Sequence, residues 1–329
     1  MDLNDTPELA AYRETVRAWL DEHKHEAPPR GEDAEAVTAR RAWQKKLAEG
    51  RLAAVTWPAE YGGAGLGPLQ QVVVNQEIGR VGVPGIFDII GVGMLGPTLI
   101  AHGTEEQKQR HLGPMLTADE VWCQLFSEPA AGSDLAGIQA RARRQEDGSW
   151  RLSGQKVWTT NAQHAAFGLL LARTDPDVAK HKGLTMFIVP MDAEGVTVRP
   201  LRQITGDPEF NEVFFDDVKL EPGAEVGPVD GGWGVALTTL MFERLTIGIG
   251  SDQFGYSGQR FAQAIASDPH AASDPEVRRR FQAASALDGS ARTDPITSAV
   301  SGTIGRRMRR PYLRERTGTG GTDVSRARP

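Results

Sequence analysis

Residues 124–134 concentrate side chains that can form hydrogen bonds; they read Gln-Leu-Phe-Ser-Glu-Pro-Ala-Ala-Gly-Ser-Asp. The preceding residues 120–123 predict a half-buried strand. Pro129, Gly132 and Ser133 then predict a loop. A strand that ends in such a loop gathers hydroxyl, carboxyl and backbone groups at one point. That arrangement suits a polar ligand, although an ordinary turn at a strand end has the same composition.

Helical segments precede this loop. Apolar residues recur at three- to four-residue spacing over residues 8–50 and predict helices that are interrupted around Pro28. A further helix is predicted over Leu69–Val81. Thr104 and Gln107 match a capping box and predict the start of a short helix.

Gly91, Gly93 and Gly96 match the G-x-G-x-x-G pattern of dinucleotide-binding folds. Such folds alternate strands with helices, whereas the segments upstream of these glycines are helical. In addition, no clear second strand ending in an acidic residue follows at the expected distance. We therefore interpret the three glycines as positions where helices pack closely.

From Val121 onward the apolar spacing changes to two, which is typical of strands. The pattern predicts strands at Trp150–Leu152, Lys156–Thr160, Phe167–Arg173, Leu184–Pro190, Val196–Arg199 and Glu212–Val218. Short, closely spaced strands with no helix between them predict an antiparallel β-barrel or sandwich.

After Gly231 the helical spacing returns, with an apolar face to Tyr256, a continuation over residues 261–265 and a further helix over Val277–Ala284. Residues 301–329 hold eight arginines against one Glu and one Asp, a net charge of +6. Their sparse apolar residues predict disorder. A nucleic-acid-binding arm is a less favoured alternative, because the segment has a single aromatic residue and the rest of the chain is acidic.

The predicted fold class is α+β with several domains. Its parts are an N-terminal helical domain (1–118), a β-barrel or sandwich domain (119–227), an incomplete C-terminal helical bundle (228–285) and an Arg-rich, disordered tail (286–329).

Composition narrows the functional classes. The chain has 329 residues and a formal net charge of −6, which gives no reason to expect nucleic acid or an anionic membrane as a partner. Its single cysteine, Cys123, excludes an internal disulfide and is predicted to be buried. No signal peptide and no membrane-spanning stretch is recognised, so the expected location is the cytoplasm. No metal site is predicted.

Three motifs together resemble the acyl-CoA dehydrogenase family of flavoenzymes over roughly residues 5–284. They are Ser-Glu-Pro-Ala-Ala-Gly-Ser-Asp at 127–134, Gly-Gln-Lys-Val-Trp-Thr-Thr-Asn at 154–161 and Phe-Asn-Glu-Val-Phe-Phe-Asp-Asp-Val at 210–218. Trp-Pro-Ala-Glu-Tyr-Gly-Gly at 57–63 and Gly-Thr-Glu-Glu-Gln-Lys at 103–108 are also similar to that family. The combination and its spacing are far more specific than a lone glycine motif.

The resemblance implies a bound FAD. At the matching positions, the residues expected to hold it are Gln124, Phe126, Ser127, Gly132, Ser133, Trp158 and Thr160. Tryptophan can cover a flat ring, and hydroxyl or backbone donors can stabilise the charge of a reduced flavin. For any one of these residues, plain barrel packing is the alternative.

The implied reaction is α,β-dehydrogenation of an acyl-CoA thioester, in which a carboxylate removes the α-proton and a hydride passes to flavin N5. The electrons then go to an electron-transfer flavoprotein. A subset of the family, similar to the isovaleryl- and long-chain enzymes, has a Glu-Arg pair on the first helix after the β-domain. Glu243 and Arg244 match it, so Glu243 is the expected base, with Ser133 and Arg244 binding substrate. The alternative for Glu243 is a surface or ion-pair role.

The chain also departs from the family pattern. Met241 stands where medium-chain members carry an acidic residue, and the segments by which a neighbouring subunit clasps FAD are not recognised. The sequence has material for about half of the expected four-helix bundle, so apolar faces such as Leu237, Leu240 and Leu245 are expected to lack partners.

Three alternatives follow from these departures. A homo-oligomeric or hetero-oligomeric partner subunit could complete an active enzyme. The chain could instead be a non-catalytic, truncated remnant or structural subunit. It could also be a frame-shifted product whose residues after about 285 are foreign to the family.

Overall fold

The computed structural model describes residues 5–29, 33–204, 209–249, 265, 267, 268, 270 and 273–287. The chain divides into two compact units, Met1–Gln253 and Phe254–Pro329. Residues 288–329 of the predicted Arg-rich tail (286–329) lie outside the described residues, as do the predicted helical stretches at 250–256 and 261–264. Within the described part, no helix is both long and apolar enough to cross a membrane.

Helices form the first third of the chain and return after the β-domain. They are α1 (Pro7–His23), α2 (Ala34–Glu49), α3 (Pro68–Val81), α4 (Gly96–His102), α5 (Glu105–Leu116), α6 (Gly232–Ile249) and, in the second unit, α7 (Pro275–Leu287). The capping box that opens α5 is confirmed: the Gln107 backbone N–H donates to Thr104 Oγ1 and the Thr104 N–H donates to Gln107 Oε1. Pro68 begins α3, where a missing N–H costs nothing.

The three glycines of the dinucleotide-like pattern lie in a helical region, as predicted. Gly91–Leu95 forms one π-helical turn that runs directly into α4. A Cβ atom on Gly93 would lie 2.6 Å from Thr246 of α6, and one on Gly96 would lie 2.0 Å from the indole of Trp57. Glycine is therefore required at both positions for close packing, and no phosphate-binding role is needed to explain it.

In the part of the chain that the structure describes, eight strands form one mixed sheet. They are β1 (Trp122–Leu125), β2 (Arg141–Arg144), β3 (Trp150–Thr160), β4 (Phe167–Arg173), β5 (Leu184–Pro190), β6 (Val196–Leu201), β7 (Phe210–Leu220) and β8 (Glu225–Val226). The spatial order is β6-β7-β3-β2-β4-β5-β8, and β1 pairs with β4. Most pairs are antiparallel, as predicted, but β4 runs parallel to both β1 and β2, which the spacing of the strands did not indicate.

The two predicted strands at Trp150–Leu152 and Lys156–Thr160 are one strand, and β2 and β8 were not predicted. Gly154 explains the first difference. Its φ is 146° and the β3–β7 register shifts beside it, so the strand continues through a bulge. A Cβ there would lie 2.7 Å from Ala140, which leaves no room for a side chain.

Two apolar clusters hold the first unit together. One joins the helices to one face of the sheet around Trp57, Leu95 and Trp122. The other lies within the β-domain around Trp150 and Phe187. Cys123 is fully buried in the second cluster, as predicted, and burial raises the pKa of its thiol. Packing therefore accounts for this cysteine.

Asp88 joins the helical part to the first strand of the β-domain. Its carboxylate accepts the backbone N–H of Gly91 at 2.8 Å and that of Trp122 at 3.0 Å. Its own N–H donates to the side-chain oxygen of Gln44. Complete burial raises its pKa to about 7, although the two N–H donors act in the opposite direction.

We expect this raised pKa to make stability depend on pH. Between the unfolded-chain value of 3.8 and about 7, the folded state binds more protons at Asp88 than the unfolded chain does. The stabilisation is present below pH 4 and is lost as the pH rises through 7. Relative to Asp88→Asn, the wild-type free energy of unfolding should fall by about 2.5 kcal/mol from pH 5 to pH 8. Urea denaturation of both proteins at each pH measures this, and parallel pH dependences would contradict it.

Candidate active site

The structure brings together the motifs at residues 127–134 and 154–161. The loop that follows β1 runs beside β3, and the Val157 backbone N–H donates to the Ser127 carbonyl at 2.9 Å. Within the loop, Glu128 and Ala131 exchange two backbone hydrogen bonds of 3.0 Å, which close a tight turn. The loop therefore has a defined shape next to the strand that carries Trp158.

A buried ion pair also holds this loop in place. Lys156 is fully buried, and its ammonium donates to Glu128 Oε1 at 2.8 Å and to the Phe126 carbonyl at 3.0 Å. Glu128 also accepts the backbone N–H groups of Gln139 and Ala140. Burial lowers the pKa of Lys156 to about 8, while the neighbouring Glu128 acts to raise it. Both ends of the loop are thus tied to one charged pair.

Trp158 combines high solvent exposure with an unusual backbone conformation. It is 61% exposed, and its backbone φ of 61° lies in the left-handed region that a bulky residue rarely adopts. It stands at the register shift of β3 between Lys156 and Thr159, and its ring meets Phe210 edge-on at 5.9 Å. A strained, exposed tryptophan that packing does not require points to a binding role.

The other residues predicted to hold FAD differ in accessibility. Ser127 and Thr160 are half-buried, Gly132 and Ser133 are exposed, and Phe126 is buried. Hydroxyl and backbone groups of the loop and of β3 are therefore accessible, as is the Trp158 indole. This donor set fits a flat ring system that needs one apolar cover and several hydrogen-bond donors, so the residues present are compatible with an isoalloxazine.

Glu243 lies next to the predicted flavin residues. The side-chain N–H of Gln124, in β1, donates to Glu243 Oε2 at 3.2 Å. Both side chains are half-buried, although they are 119 positions apart in sequence. Arg244 is exposed. Of the Glu-Arg pair, the glutamate is therefore the member that meets a predicted site residue.

Threonine hydroxyl groups connect α6 to α4 and to the π-helical turn. Thr98 Oγ1 donates to Thr239 Oγ1 at 3.0 Å, and both side chains are buried. One turn before the end of α6, Thr246 Oγ1 donates to the carbonyl of Gly93 at 2.9 Å. These bonds fix the position of α6 along its axis and its rotation about that axis, and α6 carries Glu243.

A cavity of about 310 Å³ lies between the π-helical turn, α3 and α6. Its walls include Trp57, Val92 and Gly93 on one side and Phe242, Leu245 and Thr246 on α6. Thr246 is three residues after Glu243, so the two lie on the same side of the helix. The cavity volume is in the range of small-molecule sites.

Sequence reasoning missed three features of this site: Lys156 and Glu128 as a structural pair, Phe210 beside Trp158, and the cavity. A charged residue within an otherwise strand-like apolar run was the available signal for Lys156. The cavity depends on how α3, α6 and the π-helical turn pack, and no local pattern encodes that. Among the described residues, no group of three or more His, Cys, Asp or Glu side chains could hold a metal ion.

Comparison with known proteins identifies the family. The model of the acyl-CoA dehydrogenase N-terminal domain matches residues 6–119, and that of the middle domain matches residues 123–218. Acyl-CoA dehydrogenase IpdE1 of Mycolicibacterium smegmatis is 40% identical over 292 residues, which cover 83% of this chain and 74% of the relative.

Solved structures agree. The Tcur3481-Tcur3483 steroid ACAD superposes with a TM-score of 0.71 at 32% identity, over 87% of this chain and 74% of that one. A glutaryl-CoA dehydrogenase from Mycobacterium smegmatis in complex with FADH2 shares the fold, with a TM-score of 0.65 at 20% identity over 86% of this chain and 73% of that one. The chain belongs to the acyl-CoA dehydrogenase family of flavoprotein oxidoreductases.

Proposed function

We propose that this protein catalyses FAD-dependent α,β-dehydrogenation of an acyl-CoA thioester, with Glu243 as the base and an electron-transfer flavoprotein as electron acceptor. Family membership supports acyl-CoA dehydrogenation in general. The proposal that Glu243 is the base is supported by the hydrogen bond from Gln124 to Glu243. It places a carboxylate where the predicted flavin loop begins.

Four side chains would hold the flavin. Trp158 would cover one ring face, while Ser127, Thr160 and Ser133 would supply hydroxyl groups along its polar edge. When bound, FAD supplies a two-electron acceptor for a hydride from the substrate β-carbon. The Glu128–Lys156 pair would keep the loop in place without touching the ring.

Glu243 would remove the α-proton of the thioester. Gln124 donates to one carboxylate oxygen, Oε2, which orients the group and leaves Oε1 for the substrate. The cavity beside α6 would accept the acyl chain, because Phe242 and Leu245 give it apolar walls next to Glu243. Exclusion of water from such walls would strengthen the interaction between the carboxylate and the proton it removes.

A related subunit is the proposed partner. On α6, Leu237, Met241 and Leu245 are each about half exposed. The predicted exposed face thus includes Leu237 and Leu245, whereas Leu240 packs against the main core. The Tcur3481-Tcur3483 steroid ACAD, which is named for two polypeptides, supports a hetero-oligomer. Light scattering is expected to report an oligomer when a related subunit is co-expressed, and a strictly monomeric chain would oppose this.

The test of the proposed function is spectroscopic. The purified protein, with FAD added, should show a bound oxidised-flavin spectrum, and anaerobic addition of octanoyl-CoA or a longer acyl-CoA should bleach it. A preparation that retains no flavin after the free FAD is removed would overturn the proposal. So would a flavin-loaded protein that a panel of saturated and oxygenated acyl-CoAs leaves oxidised.

Trp158 gives a further prediction. Trp158→Gly removes the indole from the flavin face and places glycine at a φ of 61°. Relief of strain should offset the added freedom of the unfolded chain, so the melting temperature should stay level or rise. The dissociation constant of FAD should increase by up to about tenfold, the equivalent of one lost aromatic contact.

Asp217→Gly is the matched control, because Asp217 also has a positive φ, of 50°, but lies at the far end of β7. It should relieve strain in the same way without changing FAD affinity. Fluorescence titration of FAD measures both variants. Equal FAD affinity in the two variants would remove Trp158 from the flavin site.

A further inference from the structure

One wall of the cavity carries an amide pair among apolar side chains. Gln71 and Asn75 are one turn apart on α3, and Gln71 Nε2 donates to Asn75 Oδ1 at 3.0 Å. Asn75 is 6% exposed and Gln71 is half-buried. Both line the cavity that Phe242 and Leu245 close from the α6 side.

Two other polar side chains that line the cavity already have hydrogen-bond partners. The Trp57 indole N–H donates to the Val92 carbonyl at 3.0 Å, and Thr246 donates to Gly93. The Gln71 side chain has two N–H donors and a carbonyl oxygen, and its bond to Asn75 takes one donor. Its second N–H and its carbonyl oxygen are thus the groups that a ligand could engage.

An amide in a wall of this kind has a chemical consequence. Polar groups that lose water without gaining a partner are costly, so an acyl group made only of hydrocarbon would leave Gln71 partly unsatisfied. An acyl group with an oxygen at the right depth would restore the lost hydrogen bond. Such a wall would favour an acyl group whose oxygen lies at the depth of Gln71.

We propose that the cavity selects acyl thioesters whose acyl group carries a keto or hydroxyl oxygen several carbons away from the thioester, and that Gln71 recognises this oxygen. The inference rests on the proposed function, which places the thioester beside Glu243. The α3 wall carries Gln71 and the α6 wall leads to Glu243, so the two ends of one acyl group would meet different helices.

The experiment compares octanoyl-CoA with 5-oxooctanoyl-CoA and 7-oxooctanoyl-CoA. Dissociation constants come from calorimetry on the flavin-loaded Glu243→Gln protein, in which turnover should not interfere. At least one oxo compound should bind about fivefold tighter than octanoyl-CoA, the effect of one neutral hydrogen bond. In the wild-type protein, the same compound should show the higher kcat/KM for flavin reduction.

Gln71→Leu should bring the affinity ratio between that oxo compound and octanoyl-CoA to about one, chiefly by weakening the oxo compound. Gln76→Leu is the matched control, because Gln76 lies on the same helix but is exposed and outside the cavity wall. It should leave the ratio unchanged. The melting temperature of each variant shows whether the fold is intact.

The outcomes separate the two proposals. If no thioester binds or reduces the flavin, the proposed function fails. If octanoyl-CoA binds and reduces the flavin but neither oxo compound is preferred, the function stands and the selection by Gln71 is overturned. A preference that survives Gln71→Leu also overturns it, because the Gln71–Asn75 bond is then only structural.

Discussion

Glu243→Gln should reduce the rate of flavin reduction by acyl-CoA about 10³-fold, the typical contribution of a general base. The new amide oxygen can still accept the Gln124 N–H, which donates to the wild-type carboxylate at 3.2 Å, so the site geometry should persist. The affinity for FAD and the melting temperature should therefore stay close to wild type. Anaerobic stopped-flow absorbance measures the rate.

A second readout isolates proton removal from hydride transfer. In deuterated water, the wild-type protein should exchange the α-proton of a thioester that cannot be dehydrogenated, and Glu243→Gln should not. This measurement reports on the carboxylate alone, because no electrons leave the ligand. A variant that exchanges the proton at the wild-type rate would assign the base to another group.

Glu212→Gln is the control. Glu212 is also half-buried and also accepts a hydrogen bond from a glutamine, since Gln155 Nε2 donates to its Oε1 at 2.9 Å. It lies on β7 in the β-domain, and the glutamine that donates to it is on β3. The same chemical change should there leave flavin reduction within about twofold of wild type, as expected of a substitution outside the reacting groups. Similar losses in both variants would show a general structural effect instead.

Local sequence patterns were sufficient for much of the fold. The Thr104–Gln107 capping box and the alternating burial of side chains in β7 each depend on neighbours within a few residues. Such signals act before any tertiary contact forms. The bulge at Gly154 was missed because a glycine within a strand looks like a break, and only the approach of Ala140 shows why it is there.

Some residues of the candidate site could likewise be predicted from sequence, and others could not. The resemblance to the family predicted Gln124, Trp158 and Glu243 as site residues, and the hydrogen bond between Gln124 and Glu243 shows that two of them meet. Family resemblance supplied the roles, because spacing alone left the loop equally well explained as a turn. The place of Gln71 in the cavity wall could not be predicted from sequence. It depends on the packing of α6 opposite α3, which no local pattern encodes.

Lys156 is the second residue with a large expected effect. Lys156→Met removes an ammonium that contacts Glu128 and the Phe126 carbonyl, and it leaves a carboxylate that is 7% exposed without its counter-charge. Breaking one side of a buried pair typically costs about 3–5 kcal/mol of stability. FAD affinity should fall as well, because the loop between Phe126 and Glu128 loses its anchor.

Lys180→Met is the control for a lysine that contacts the same loop. Lys180 is about half exposed and pairs with Asp134 at 2.8 Å, so its loss should cost less than about 1 kcal/mol. Urea denaturation gives the stabilities and fluorescence titration gives the FAD affinities. Similar small losses in both variants would show that burial adds nothing to the Glu128–Lys156 pair.

The double variant Glu128→Gln/Lys156→Met separates charge from shape. It removes both charges, so much of the stability lost in Lys156→Met should return. The Gln139 and Ala140 N–H groups would have to share the one amide oxygen of the substituted side chain, whereas in the wild-type protein they meet two carboxylate oxygens. Stability should therefore recover further than FAD affinity does. Equal recovery of the two would mean that the pair only stabilises the fold, and a lag in FAD affinity would identify it as the group that positions the flavin loop.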